Sequence, residues 1–146
     1  MLKSFGYKNS GRTWWKDMGD FYNVINIQNY SWNSIDSVDF RFNIGVALKG
    51  KLKDRTGKKV SYSELVTMLD EGTFLPDRKN RMFGNNQGYS ITNDTPLQSF
   101  KDVVHKDFEE YILPRLDTPK GLADLIQFYE PYDFWCKNLK RRIAEN

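Results

Sequence analysis

Cysteine and histidine are nearly absent: Cys136 and His105 are the single representatives of each in 146 residues. One thiol allows no internal disulfide and points to a reducing compartment. One thiol and one imidazole leave too few ligands for a Cys/His zinc site, and a nucleophilic triad has only one imidazole base to draw on. Neither a metal nor another cofactor is expected. Long apolar runs are missing as well. Residues 1–16 hold no continuous apolar stretch, so no signal peptide or membrane span is expected, and with it a cytoplasmic home and no membrane partner. Charge imbalance is also small: a net charge of +3 is too weak to argue for nucleic acid by itself.

Aromatic residues, in contrast, are plentiful. They make up 15% of the chain, and Trp14, Trp15, Tyr22, Tyr30 and Trp32 crowd its first quarter. A chain of this length can bury roughly two-thirds of its unfolded surface. With no repeat, low-complexity segment or linker in view, residues 1–146 are read as a single domain.

The most regular stretch is 38–48. Val38, Phe40, Phe42, Ile44, Val46 and Leu48 fall on alternate positions, with Asp39, Arg41, Asn43, Gly45 and Ala47 between them. A strand turns successive side chains to opposite faces, so this pattern predicts one greasy face sealed on a core and one polar or small face. Residues 6–17 read as an earlier strand, 17–20 as a turn and 21–30 as a second strand, giving a short-looped meander with 38–48. Ser61 and Glu64 form a capping box expected to open a short helix through about residue 70. Residues 72–88 are loop-rich, with a further strand around 89–92. Thr95, Pro96 and Gln98 supply a second capping box for a helix carrying Leu97, Phe100, Val104, Phe108, Tyr111 and Ile112, which Pro114 is expected to stop. Helices over about 118–144 follow, interrupted at Pro131. Strands first and helices last predict an α+β fold: a mainly antiparallel three- to four-stranded meander followed by C-terminal helices packed on the sheet.

Several blocks resemble a bacterial family, domain of unknown function 4304. They are residues 5–8 (FGYK), 11–17 (GRTWWKD), 19–28 (GDFYNVINIQ), 32–34 (WNS), 38–45 (VDFRFNIG), 74–76 (FLP) with Lys79, and 111–114 (YILP). The resemblance covers about residues 5–116. Members tend to carry a Trp-rich segment where this chain has residues 83–89 (FGNNQGY). The resemblance implies no activity and hands over no catalytic or binding residue.

Candidate chemistry is sparse. Glu109 and Glu110 are adjacent on a helix, hence about 100° apart and not convergent. His105 sits beside the core stripe of its helix and reads as a partly buried structural imidazole. Cys136, beside Phe134 and Trp135, reads as a small buried hydrophobe. No residue is assigned a catalytic role. The richest constellation is the sheet's second face, where Trp14 or Trp15, Tyr22, Asn26, Gln28, Tyr30, Trp32, Arg41 and Asn43 mix rings, amides and a guanidinium. Such mixtures are enriched at recognition surfaces. A C-terminal helix covering this face is the competing expectation. Between residues 49 and 59, Lys49, Lys51, Lys53, Arg55, Lys58 and Lys59 against Asp54 give a local charge of +5, which with Lys137, Lys140, Arg141 and Arg142 could contact phosphates. The expected function is a non-catalytic protein- or ligand-binding domain, of the immunity or antitoxin kind, with another protein as partner. The alternative is a nucleic-acid binder using the basic 49–59 loop and the last helix.

Overall fold

The structure, a computed structural model, describes residues 1–51 and 59–145. It contains seven strands: β1 (Lys8–Ser10), β2 (Thr13–Asp17), β3 (Phe21–Asn29), β4 (Ser37–Leu48), β5 (Leu69–Asp70), β6 (Gly84–Asn85) and β7 (Gly88–Thr92). All pairings are antiparallel, in the order β1-β2-β3-β4-β7-β6, with β5 paired to β4 as well. Helices α1 (Leu97–Lys106), α2 (Leu113–Leu116), α3 (Leu122–Tyr129) and α4 (Asp133–Glu145) close the chain. The fold is α+β as expected, with more strands than a three- to four-stranded meander. One added strand arises because residues 6–17 do not run straight. The chain turns back at Gly11, whose φ of +58° favours glycine, and Ser10 comes to face Thr13 across a hairpin.

The longest pairing, β3 with β4, sets the register of the sheet: Phe21 opposes Leu48, Ile25 opposes Ile44, and Gln28 opposes Arg41. Phe21, Ile25, Phe42, Ile44, Val46 and Leu48 therefore share one face, and they join the main core together with Phe100, Phe108, Ile112, Leu113, Leu116, Leu125, Tyr129 and Leu139 of the helical half. The core-facing alternation expected for 38–48 is present from Phe40 to Leu48, with Val38 outside the core, and the helices bury their apolar stripes against that side. Cys136 is buried in the same core. His105 corrects its expectation, because it lies exposed on α1 rather than half-buried.

Three local expectations change. The capping box at Ser61 and Glu64 forms, but it starts only a 3-10 turn (Tyr62–Glu64). The chain then runs extended, because Val66 N–H reaches Val46 O at 2.9 Å and Leu69 pairs with Ile44. Thr95 builds no capping box: its Oγ1 accepts the N–H of Thr92 at 2.8 Å, and Gln98 turns to Asp102. Pro114 does not end the helix. Residues Asp107–Ile112 widen into a π-helical turn before α2, which begins with Pro114 in its first turn. A proline lacks the N–H for the i−4 bond and crowds that carbonyl, and a wider turn relieves both defects.

Candidate functional site

The second face of the sheet divides into a sealed half and an open half. In the sealed half, Val24 and Ala47 pack with Val60, Trp15, Tyr22 and Leu65 in a separate small apolar cluster. Gly45 lies under the Thr67 carbonyl, so close that a Cβ there would come within 1.8 Å of the oxygen. The cover is thus the segment around Val60–Thr67, a 3-10 turn followed by extended chain, not one of the C-terminal helices. Asn43, Gly45 and Ala47 are buried along with their core-facing neighbours. The parity reading, one face dry and the other free, does not hold: from Phe42 to Leu48 both faces of β4 are buried, and from Ser37 to Arg41 both are half-buried.

In the open half, β3 and β4 place Asn26 opposite Asn43 and Gln28 opposite Arg41. Gln28 Oε1 accepts from Asn43 Nδ2 at 2.9 Å and from Arg41 Nη2 at 3.3 Å. Asn26 Nδ2 donates to Thr13 Oγ1 at 2.9 Å. Just beyond, Tyr30 and Trp32 stack with ring centres 4.3 Å apart and planes 9° from parallel. Trp32 Nε1 donates to Asp39 Oδ2 at 2.6 Å, the Tyr30 hydroxyl donates to the Gln87 carbonyl, and the Arg41 guanidinium lies 5.9 Å from the Tyr30 ring. Trp32 is nonetheless 58% exposed. Fixed polar groups thus hold an exposed Trp32 on a half-buried Tyr30. At the other end of this strip, a pocket of about 250 Å³ is lined by Arg41, Asn43, Met68, Leu69, Asp70, Thr73 and Arg78.

The structure brings Gln28, Tyr30, Trp32 and Arg41 together, with Asn26 at the margin. Trp14 is a correction: it pairs with Ile25 and packs on the main core, so Trp15 is the tryptophan of the second face. Tyr22 and Trp15 belong to the sealed half. Asn43, 2% exposed, supports the strip from below rather than presenting itself. Sequence reasoning missed Met68, Asp70, Thr73 and Arg78. Their approach depends on the short β5 pairing, for which two residues carry no periodic signal.

The basic residues are placed differently. Lys53, Arg55 and Lys58 lie outside the described residues, as does the Lys51 side chain. The Lys49 ammonium is held 2.8 Å from Asp17, which lowers the Asp17 carboxyl below its ordinary range. Lys59 is exposed. On α4, Lys137 pairs with Asp133, while Arg141 and Arg142 pair with Glu145.

A second group of titratable residues is internal. Glu71 is 1% exposed and sits 3.3 Å from Arg81 Nη1, whose side chain is 6% exposed. The Arg81 guanidinium lies 4.5 Å from the Tyr89 ring, and the Tyr89 hydroxyl donates to Asp107 Oδ2 at 2.8 Å. Burial raises the Glu71 carboxyl against the pull of Arg81, and raises that of Asp107. Glu71 Oε1 accepts the Phe42 N–H at 2.9 Å, where β4 lies between its pairing with β7 and its pairing with β5. That bond satisfies a strand-edge donor that burial would otherwise orphan, and it accounts for a carboxylate in this position. Among the described residues, no three His, Cys, Asp or Glu side chains are grouped to hold a metal, and no helix is long and apolar enough to cross a membrane.

A family model described as a domain of unknown function (DUF4304) matches residues 1–118, which takes in the whole strip and its pocket. No curated protein and no solved structure matches the chain.

Proposed function

We propose that this chain, which belongs to the DUF4304 family, is a non-catalytic binding domain that meets a partner protein through the open half of its sheet. The observation that carries the reading is an exposed Trp32 stacked on half-buried Tyr30 and held beside Arg41 and Gln28. Rigid aromatics flanked by a guanidinium supply large contact area at little entropic cost, and such residues dominate interface energetics. The polar groups of the strip are engaged mainly with one another, an arrangement that suits recognition better than proton transfer. A cytoplasmic setting suits the single buried thiol of Cys136.

The test is affinity capture from the native host, with the whole chain as bait and captured proteins quantified by mass spectrometry. Trp32→Ala and Arg41→Ala are each expected to reduce the specific prey roughly tenfold or more. Phe134→Ala, on the exposed side of α4, is expected to leave capture unchanged. Equal capture by all four baits would remove the strip as the binding surface.

A further inference from the structure

The pocket at the end of the strip contains two arginines in opposite circumstances. Arg78 is neutralised: its Nη1 donates to Asp70 Oδ1 at 2.8 Å and to Thr73 Oγ1 at 3.2 Å, and its Nη2 bonds the other Asp70 oxygen. Arg41 has no carboxylate partner among the described residues. Its polar contact is the neutral Gln28 amide, its ring contact is Tyr30, and its buried Nε–H has no acceptor. A half-buried guanidinium without a counter-charge is costly to keep and has unused donors in a fork that matches a carboxylate.

We propose that Arg41 is the seat of one carboxylate, an Asp or Glu side chain of the partner protein, entering the pocket while flanking partner residues lie on Trp32 and Tyr30. The assignment rests on reading the strip as a protein-binding surface. Charge complementarity selects this occupant. Asp39 and Asp70 stand on either side of Arg41 along the face, the first bonded to Trp32 and the second to Arg78. A chain of phosphates would set further negative charge against both, whereas a lone carboxylate meets only the uncompensated guanidinium. Met68 and Leu69 in the pocket wall suit the methylenes of such a side chain.

The experiment is a nitrogen-15 NMR titration of the whole chain with propionate, which carries the end of a glutamate side chain. Parallel arms use neutral propionamide and inorganic phosphate. The Arg41 Nε–H, the Asn43 side-chain amide and the Trp32 indole N–H are followed. Propionate is expected to shift the first two along a saturable curve in the millimolar range, propionamide to shift neither, and phosphate to bind at least several-fold more weakly. In Arg41→Gln the Asn43 shift is expected to vanish while the Trp14 and Trp15 indole signals report an intact fold. A linear drift, no shift, or a phosphate curve as tight as that of propionate would overturn the assignment, the last pointing to a phosphate ligand. The affinity captures separate the two levels. Capture that is lost in Trp32→Ala but survives Arg41→Gln sinks the carboxylate site and leaves the strip standing. Capture indifferent to both sinks the strip.

Discussion

Glu71→Ala is expected to destabilise the protein by about 3–5 kcal/mol, the cost of stripping one partner from a buried ion pair. The carboxylate serves three groups at once: Oε1 accepts the Phe42 N–H at the gap in the outer edge of β4, Oε2 accepts the Gly72 N–H at 3.0 Å, and the carboxylate faces Arg81 inside the protein. Its removal leaves two backbone donors without this acceptor and a guanidinium enclosed without its counter-charge. The double variant Glu71→Gln with Arg81→Met keeps an acceptor for Phe42 and removes both charges, so it is expected to be more stable than Glu71→Ala. Urea denaturation midpoints at fixed m-value check both. Because burial raises the Glu71 carboxyl above its ordinary value of 4.5, the folded state binds its proton more tightly than the unfolded chain does. Its contribution to stability is therefore fully present below the ordinary value and is lost as the pH rises through the raised one. Glu71→Gln should remove that component of the pH profile. A profile for Glu71→Gln with the same slope as the native protein would assign the pH dependence to another group, Asp107 first.

Gly45→Ala is expected to cost roughly 3 kcal/mol or more, an unusual penalty for one methyl group. The added carbon would meet the Thr67 carbonyl oxygen at 1.8 Å and its carbon at 2.7 Å. Backbone rather than a flexible side chain stands in the way. Thr67 cannot easily retreat, since its Oγ1 accepts the Val46 N–H at 3.1 Å and the neighbouring Val66 N–H bonds Val46 O. The covering segment must lift, exposing Val24 and Ala47. Gly121→Ala is the matched control: its φ is −158° and a Cβ there meets nothing within 4 Å, so a change within about 0.5 kcal/mol is expected. In Gly45→Ala, hydrogen exchange should quicken first at Val66 and Leu69. Thermal melts that match for the two variants would mean that the segment does not press on β4.

The greasy face of β4 was readable because alternation over eleven residues has few rivals, and the order of strands before helices followed from composition and caps. What sealed the other face was not readable. Val60, Leu65 and Thr67 meet β4 through tertiary contacts that overrode a genuine capping box, and local propensity carries no trace of them. Trp14 and Trp15 illustrate the same limit: adjacency assigns them to opposite faces, but only the register with β3 decides which is which. The internal Glu71–Arg81 pair was invisible, because charged residues in a loop-rich stretch look solvated until the strand gap beside Phe42 is known. Arg41, Gln28, Tyr30 and Trp32 were legible as a group, since two strands with one hairpin register bring them together. The pocket across from them, built from Met68 to Arg78, was not.

One face of this sheet is shut at its Ala47 end and open at its Gln28 end. Single cysteines at Gln28 and at Ala47, in a Cys136→Ala background, allow maleimide labelling rates to be compared under native conditions. Gln28→Cys is expected to react at least about 100-fold faster than Ala47→Cys, whose thiol can be reached only through local or global opening. Comparable rates at the two positions would contradict the division of the face, and with it the surface on which binding is proposed.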